Sequence, residues 1–169
     1  INPDISFDPS AVYLLYDVMS ERSDIALISP QISYPGHIGS RQHLCRRKPS
    51  VMHSAFRLLK ISSSYSRRQE YLLPYRYDKA FSPYSLSGCF LLARTKSLLN
   101  IGGFDERFFM YYEDNDLSIR MRKNGLVVFL PSAKVIHDWS HDSHKSPKLM
   151  AIMISSMIKF HLKHGIKFV

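Results

Sequence analysis

The stretch GGFDERFFMYYEDNDLSIRMRKNG, residues 102–125, gathers negative charge in a chain that is otherwise strongly basic. The 169 residues carry 23 Lys and Arg against 14 Asp and Glu, which leaves a net charge of +9. Five of those 14 acids lie in this stretch, at Asp105, Glu106, Glu113, Asp114 and Asp116. Acids at the start and basic residues near the end are typical of a helix, because each helix end favours the opposite charge. We therefore predict a helix over residues 113–124 that ends at Gly125.

Strands and helices are predicted to alternate on both sides of this helix, which is typical of an α/β sheet layer. Asp8 followed by Pro9 predicts a helix over residues 9–21, with the aspartate as N-cap and the proline at the first helical position. The other predicted elements are strands over 24–30, 84–94, 126–131 and 134–139, short helices within 49–72 and over 95–100, and a longer helix over 146–164.

The amino-acid composition and net charge limit which classes of protein this chain can belong to and which partners it can bind. Apolar residues make up 45% of the chain, which is ordinary for a globular core, and no uninterrupted apolar run reaches the length of about 18 residues that a membrane-spanning helix needs. The two cysteines, Cys45 and Cys89, lie far apart, which argues against a disulfide framework and fits a reducing cytoplasm. The net charge of +9 indicates an anionic partner. We expect no nucleic acid, because no recognisable binding motif is present and the acidic cluster would repel phosphates.

Asp114 is the first candidate for chemistry. It lies at the start of the predicted helix, where the peptide N–H groups and the helix dipole keep a carboxylate ionised. An ionised carboxylate near neutral pH is suited to accept a proton from an attacking hydroxyl. The alternative is that Glu113, Asp114 and Asp116 only cap the helix, and the acidic stretch alone leaves both interpretations open.

Further short motifs occur in a fixed order around the acidic stretch. They are Asn2-Pro3-Asp4, a helix, a strand with the sequence ALISP, Arg46-Arg47-Lys48-Pro49-Ser50, Ser87-Gly88, the block 102–120, and His137 after a strand. In this order they resemble the family 2 glycosyltransferases of the GT-A fold, in particular the bacterial rhamnosyltransferase-like branch that builds cell-surface polysaccharide. The resemblance covers essentially the whole chain, and the block 102–120 is its most specific part.

The resemblance implies an α/β fold that corresponds to the C-terminal part of a GT-A domain, with a mixed sheet. The nucleotide-binding N-terminal half of the family has no counterpart in this sequence. We assign residues 1–145 to the acceptor-side, catalytic part of the domain and residues 146–169 to a C-terminal amphipathic basic helix. A truncated, non-catalytic remnant or interaction module of the same fold is the alternative.

The resemblance also implies a role for individual residues. Asp4 and His137 would bind Mg²⁺ or Mn²⁺ that bridges the diphosphate of a nucleotide sugar, and Asp114 would be the catalytic base. Glu113 would orient the acceptor, whereas Asp105 would fix its loop or touch the sugar. The residues expected to bind substrate are Glu113, Asp105, Ser87, Gly88, Arg46 and Arg47.

The implied reaction is an inverting, metal-dependent transfer of a sugar from a nucleotide-diphosphate donor, with dTDP-rhamnose as the first candidate. The acceptor would be a saccharide or a lipid-linked saccharide in cell-surface polysaccharide synthesis. We therefore expect a cytoplasmic protein, with peripheral contact at the inner face of the bacterial cytoplasmic membrane.

Two further segments leave alternatives open. His137, His141 and His144 have a spacing that a zinc site could use, but the surrounding Ser and Asp residues favour a loop that closes over a diphosphate. The helix over 146–164 carries apolar residues at helical spacing and lysines at its ends. It would either pack against the rest of the protein or lie in the plane of an anionic membrane surface.

Overall fold

In the residues that the structure describes, the fold is a mixed four-stranded sheet with helices on both faces, which confirms the predicted α/β class. The computed structural model describes residues 1–36, 41, 42, 44–52, 54, 77–138 and 146–166. The elements in chain order are β1 Ile5–Phe7, α1 Pro9–Glu21, β2 Ile25–Ser33, β3 Leu92–Ala93, α2 Thr95–Asn100, α3 Glu113–Met121, β4 Leu126–His137 and α4 Pro147–His164. Most of the predicted helical segment 49–72 lies outside the described residues.

The strands lie in the order β1-β4-β2-β3. The central pair β2 and β4 is parallel, whereas β1 and β3 run antiparallel to their neighbours. Ser33 pairs with Ile136, so the carboxyl ends of both central strands lie at the same edge of the sheet. In open α/β sheets that edge is where ligands bind.

Helices α1 and α3 cover opposite faces of the central strands. The predicted cap of α1 is confirmed, since Asp8 accepts a hydrogen bond of 2.8 Å from Ser10 N. Apolar residues on α1 pack with Ile28 on one face of the sheet, and Leu117 on α3 packs with Leu27 on the other. This arrangement follows from the strand period of two, because neighbouring residues Leu27 and Ile28 point to opposite faces.

Two predicted strand ends are wrong, and one proline explains both. β2 does not end at Pro30 but continues to Ser33, and the predicted strands 126–131 and 134–139 are the single strand β4. Pro30 pairs with Leu130 while Gln31 pairs with Lys134, so β4 bulges by three residues at this point. A proline has no N–H for the ladder, and a bulge is where a sheet tolerates it.

The strand predicted over 84–94 is also wrong, because only Leu92–Ala93 pairs as a strand. The apolar run before it uses α3 as its hydrogen-bond partner. Leu86 N donates to Ser118 Oγ at 3.1 Å, and Gly88 N donates to an oxygen of Asp114 at 3.2 Å. The segment is buried or half-buried, but within the described ranges it forms only an isolated bridge between Ser85 and Arg46 and then a turn at residues 88–90.

The predicted helices around the acidic stretch are confirmed at their starts. α2 has the predicted bounds, and α3 begins at Glu113 but ends at Met121, three residues earlier than predicted. Gly125 then adopts a φ of +156°, and a Cβ at this position would lie 2.4 Å from the carbonyl oxygen of Asp24. Only glycine allows this close approach where the chain enters β4.

Helix α4 packs on the acidic stretch rather than on the sheet. Phe160 is buried against Tyr112 and Phe108, and Ser156 Oγ donates to the carbonyl oxygen of Met110 at 2.7 Å. In the parts of the chain that the structure describes, no helix is long and apolar enough to cross a membrane.

Candidate active site

Asp4 and His137 meet at the carboxyl edge of the sheet. The pairing of Ile5 with His137 brings them together, and Asp138 N donates to the carbonyl oxygen of Asp4 at 3.1 Å. The Asp4 Oδ2 and His137 Nε2 atoms are 3.2 Å apart. The Asp4 side chain is 42% exposed and the His137 side chain 8% exposed, so one member of the pair faces solvent.

This pair fits a divalent cation, with other ligands to be supplied by substrate or water. Two ligand atoms at right angles around Mg²⁺, each about 2.1 Å from the metal, are about 3.0 Å apart. Among the residues described here, no group of three or more His, Cys, Asp and Glu side chains could hold a metal ion. Mg²⁺ often uses only one or two protein ligands and completes its shell with phosphate oxygens and water. His141 and His144 lie outside the described residues, so the zinc alternative stays a prediction.

The turn at residues 87–89 contacts both Asp114 and the N-terminal motif. Gly88 N donates to Asp114 Oδ2 at 3.2 Å, and the carbonyl oxygen of the next residue, Cys89, accepts a bond of 2.8 Å from Asn2 N. A Cβ at Gly88 would lie 3.3 Å from the Cβ of Asp114, which is a tight contact. The sequence segments that contain Asp4, Gly88 and Asp114 therefore lie in one region of the molecule.

The Asp114 carboxylate is held in a fixed orientation. Its Oδ1 accepts bonds from the Asn115 backbone N at 2.7 Å and from Asn115 Nδ2 at 2.8 Å. Ser85 Oγ donates to Asn115 Oδ1 at 2.8 Å, so the amide is oriented in turn. Sequence analysis missed Asn115 and Ser85, because no pattern distinguishes a buried asparagine inside a helix from a capping one.

Glu113 lies beside Asp114 in an unusual electrostatic environment. Burial and the nearby charge of Asp114 together raise the pKa of Glu113 to about 7, although its own backbone N–H and Arg46 act in the opposite direction. Its Oε2 is buried and has no hydrogen-bond partner in the described part of the chain. Near neutral pH this side chain therefore carries a proton for much of the time and can donate as well as accept.

The backbone that leads into α3 is strained. Tyr111 and Tyr112 both have a φ of +65°, in the left-handed region that bulky side chains avoid. Tyr112 is held there by burial against Phe160 and by a 3.1 Å hydrogen bond between its hydroxyl and Ser54 Oγ. Strained backbone of this kind is often found at functional sites.

Asp105 belongs to a different cluster. Its carboxylate forms ion pairs with Arg107 and with Lys163 of α4, which hold its pKa well below the usual range. Lys163 also pairs with Asp116, which receives Arg120 and His164 as well. Of the two roles that the sequence suggested for Asp105, these contacts correspond to the fixing of its loop.

The remaining predicted residues surround the turn. Arg46 forms a backbone bridge with Ser85, through bonds of 3.0 and 3.2 Å, and its charge acts on Glu113. Ser87 lies in the turn itself and its side chain interacts with Cys89. Arg47 is exposed.

Comparison with known proteins gives two kinds of relative. An N-acetylglucosaminyl-diphospho-decaprenol L-rhamnosyltransferase, found in two strains of Mycobacterium tuberculosis, is 33% identical over 151 residues, which are 86% of this chain and 48% of the relative. Rhamnosyltransferase WbbL of Escherichia coli is 30% identical over 83 residues, 48% of this chain and 29% of that protein. This chain resembles bacterial rhamnosyltransferases over most of its length. The resemblance stated from the motifs is thereby confirmed.

The extent of the match also matters. This chain spans about half the length of the mycobacterial relatives that it matches. No protein-family model matches the chain. The relatives that it matches are all named rhamnosyltransferases.

Proposed function

We propose that this chain is the acceptor-side, C-terminal part of a GT-A glycosyltransferase that transfers rhamnose with inversion from a nucleotide-diphosphate donor. The observation that carries the proposal is the turn at residues 87–89, which contacts Asp114 on one side and the Asn2-Pro3-Asp4 motif on the other. A base for the acceptor and ligands for the leaving diphosphate must lie in one region for a single displacement, and this turn joins them.

Asp114 is proposed as the base. The acceptor hydroxyl oxygen attacks the anomeric carbon, the bond from that carbon to the diphosphate breaks, and the hydroxyl proton passes to Asp114. The backbone and amide donors of Asn115 hold the carboxylate in place, so that little reorganisation is needed at the moment of transfer. Glu113, with its raised pKa, is placed to donate a hydrogen bond to the acceptor.

Asp4 and His137 are proposed to hold Mg²⁺ or Mn²⁺. A hard divalent cation supplies positive charge that offsets the charge of a departing diphosphate. The exposed side of Asp4 leaves room for phosphate oxygens next to this pair. Arg46, beside the turn, adds positive charge on the same side as Glu113.

The names of the relatives support the substrate class. The mycobacterial protein is named for L-rhamnosyl transfer to an N-acetylglucosaminyl diphosphate on a polyprenol. We propose by extension that the acceptor here is a lipid-linked saccharide and that the donor is a nucleotide-diphospho-rhamnose such as dTDP-rhamnose.

A lipid-linked acceptor would require access to a membrane surface, and α4 is proposed to provide it. One side of α4 is buried through Met153, Ser156 and Phe160. The other side exposes an apolar row at helical spacing, formed by Ile154, Ile158, Leu162 and Ile166 just after the helix. Lysines flank this row, and a basic amphipathic surface of this kind binds anionic lipid head groups. We propose peripheral binding at the cytoplasmic face.

The test of the membrane proposal is sedimentation with vesicles of phosphatidylglycerol and phosphatidylcholine. Replacement of Ile158 and Leu162 by serine should abolish the bound fraction, whereas replacement of the equally exposed Tyr13 and Tyr16 on α1 should not. Equal binding of both double variants would contradict the role of α4.

The test of the reaction uses the protein as the cell makes it, a rhamnosyl nucleotide donor and a lipid-linked N-acetylglucosaminyl diphosphate. Inversion predicts that the anomeric configuration of the product, read by NMR, is opposite to that of the donor. Asp4→Asn and removal of metal by chelation should both abolish transfer. Retention of configuration would contradict the single displacement, and full activity in chelator would contradict the metal role.

The non-catalytic alternative makes a different prediction. A remnant of the fold would show no transfer under any metal condition, although α4 could still bind vesicles. The presence of both the oriented Asp114 carboxylate and the Asp4–His137 pair favours a catalytic protein over a non-catalytic remnant.

A further inference from the structure

Gln42 is a buried glutamine whose two amide atoms are both directed at His137. It is 4% exposed, and its backbone N donates to the carbonyl oxygen of Ile32 at 2.8 Å, which anchors it to the end of β2. Its Nε2 donates to the His137 carbonyl oxygen at 2.9 Å, and its Oε1 lies 3.1 Å from His137 Nδ1. Neither the motifs nor the composition pointed to this residue.

The orientation of the amide follows from the chemistry of its partners. The His137 carbonyl oxygen can only accept a hydrogen bond, so the NH₂ group of Gln42 must face it. The amide oxygen then faces Nδ1 and can itself only accept. In a neutral imidazole, one nitrogen carries the proton and the other a lone pair. The proton therefore belongs on Nδ1, and the lone pair on Nε2.

This assignment makes the Asp4–His137 contact a cation site. With Nε2 unprotonated, a nitrogen lone pair faces a carboxylate oxygen at 3.2 Å. A positive charge between these two atoms, either a proton on Nε2 or a metal cation, stabilises the contact. A histidine that binds metal commonly donates its other ring N–H to an oxygen acceptor, which fixes the tautomer and the ring orientation.

We propose that Gln42 is a positioning residue that keeps the His137 ring oriented with Nδ1–H towards its amide oxygen, so that Nε2 is the nitrogen that can present a lone pair beside Asp4 to a divalent cation. The metal part of this inference rests on the proposed function. The tautomer part does not, because it follows from two hydrogen bonds within the chain.

The first measurement is the tautomer of His137, read from long-range ¹H–¹⁵N correlations in this chain labelled at histidine. At about pH 8 an ordinary imidazole is neutral. We expect Nδ1–H for the native protein and for Gln42→Glu, which keeps an acceptor oxygen near Nδ1. Gln42→Met has a similar shape but no acceptor, and should show the Nε2–H form in part or in full. A native protein in the Nε2–H form, or an unchanged tautomer in Gln42→Met, would overturn the inference.

The second measurement is Mn²⁺ affinity, followed by paramagnetic broadening of the His137 signals with Mn²⁺ alone. Loss of an outer-shell partner typically weakens metal binding by about 10- to 100-fold, so Gln42→Met should fall in that range. Gln31→Met is the matched control, because Gln31 is a second buried glutamine whose amide N contacts Ser33 instead. Equal affinity in Gln42→Met and the native protein overturns the metal part.

The two proposals can fail separately. If the native protein and His137→Ala bind Mn²⁺ equally, the metal role in the proposed function is wrong, while the tautomer result still decides the role of Gln42. If native binding depends on His137 but not on Gln42, the proposed function stands and the positioning role is wrong.

Discussion

Glu113 and Asp116 lie one turn apart on the same helix, and their carboxylates have opposite properties. Asp116 has no exposed side-chain surface and accepts from Arg120, Lys163 and His164, and these partners lower its pKa despite burial. Glu113 is also largely buried, but one of its oxygens has no partner in the described part of the chain and its pKa is raised to about 7. The sequence presents both as acids at a helix start.

The difference shows that cations, not burial, decide which carboxylate is structural. Asp116 joins α3 to α4 and accepts from three cationic side chains, which leaves its carboxylate little capacity for a substrate. Glu113 lies near the turn at residues 87–89, and among the described residues Arg46 is the cation that opposes its charge. Unsatisfied carboxylates are costly for the fold, and they are the groups with free capacity for chemistry.

The first prediction has the largest expected effect and concerns the free energy of unfolding when Asp116 is replaced. Asp116→Asn leaves Arg120 without its charged partner inside the protein and leaves Lys163 with Asp105 alone. Loss of one partner of a buried ion pair typically costs about 3–5 kcal/mol of unfolding free energy. Urea unfolding at neutral pH measures this cost. The control is Asp24→Asn, which breaks an exposed pair with Arg22 and should cost far less, because solvent screens exposed pairs. Similar losses in both variants would contradict the distinction.

The second prediction concerns Glu113 and pH. Its folded pKa lies above the ordinary value of 4.5, so its contribution to stability is fully present below pH 4.5 and is lost as the pH rises towards about 7. Glu113→Gln should remove this loss, which we expect to be about 2–3 kcal/mol from the shift of the pKa. Thermal unfolding between pH 4.5 and 8 tests it, with the exposed Glu21→Gln as control. An identical pH profile for Glu113→Gln and the native protein would contradict the raised pKa.

The third prediction is a smaller pH effect of opposite sign, at His161 of α4. His161 is buried with neither ring nitrogen bonded in the described part of the chain, and burial together with Lys48 lowers its pKa. As the pH falls, His161 therefore binds a proton in the unfolded chain at a higher pH than in the folded protein. The free energy of unfolding then decreases below about pH 6.5. His161→Phe should flatten the profile on the acid side only, in the same thermal series. A change confined to the alkaline side would show that the sign is wrong.

Much of the fold could be predicted from local chemistry. Asp8-Pro9 marked the start of α1 and the charge pattern marked α3, because caps and helix dipoles act within a few residues, and apolar spacing marked α4. β1 was missed, since three residues carry no periodic signal. The continuation of β2 past Pro30 was not predicted, because it depends on a bulge in β4 about 100 residues away in the chain. No local pattern reveals such a bulge.

The residues of the candidate site also fall into two groups, those that sequence motifs identified and those that only the folded structure reveals. Asp4, Gly88, Asp114 and His137 were named from their motifs, and the structure brings them to one edge of the sheet. Their supporting residues, Asn115 and Gln42, were not named, because their roles depend on contacts formed only after folding. Asp105 came from the same motif as Asp114 but lies in the ion-pair cluster with α4.

The central claim is that Asp114 accepts the acceptor's proton. The most direct measurement is the single-turnover rate of rhamnosyl transfer by Asp114→Asn in the full natural protein, with donor affinity determined in parallel. The amide keeps the shape, but its one acceptor oxygen can accept either from Asn115 or from Gly88 N, and it cannot take up the proton. Transfer should therefore fall by roughly 10²- to 10⁴-fold while donor affinity changes little. Asp17→Asn, on the exposed side of α1, should retain native rates. A rate for Asp114→Asn within a few-fold of the native protein would contradict the account.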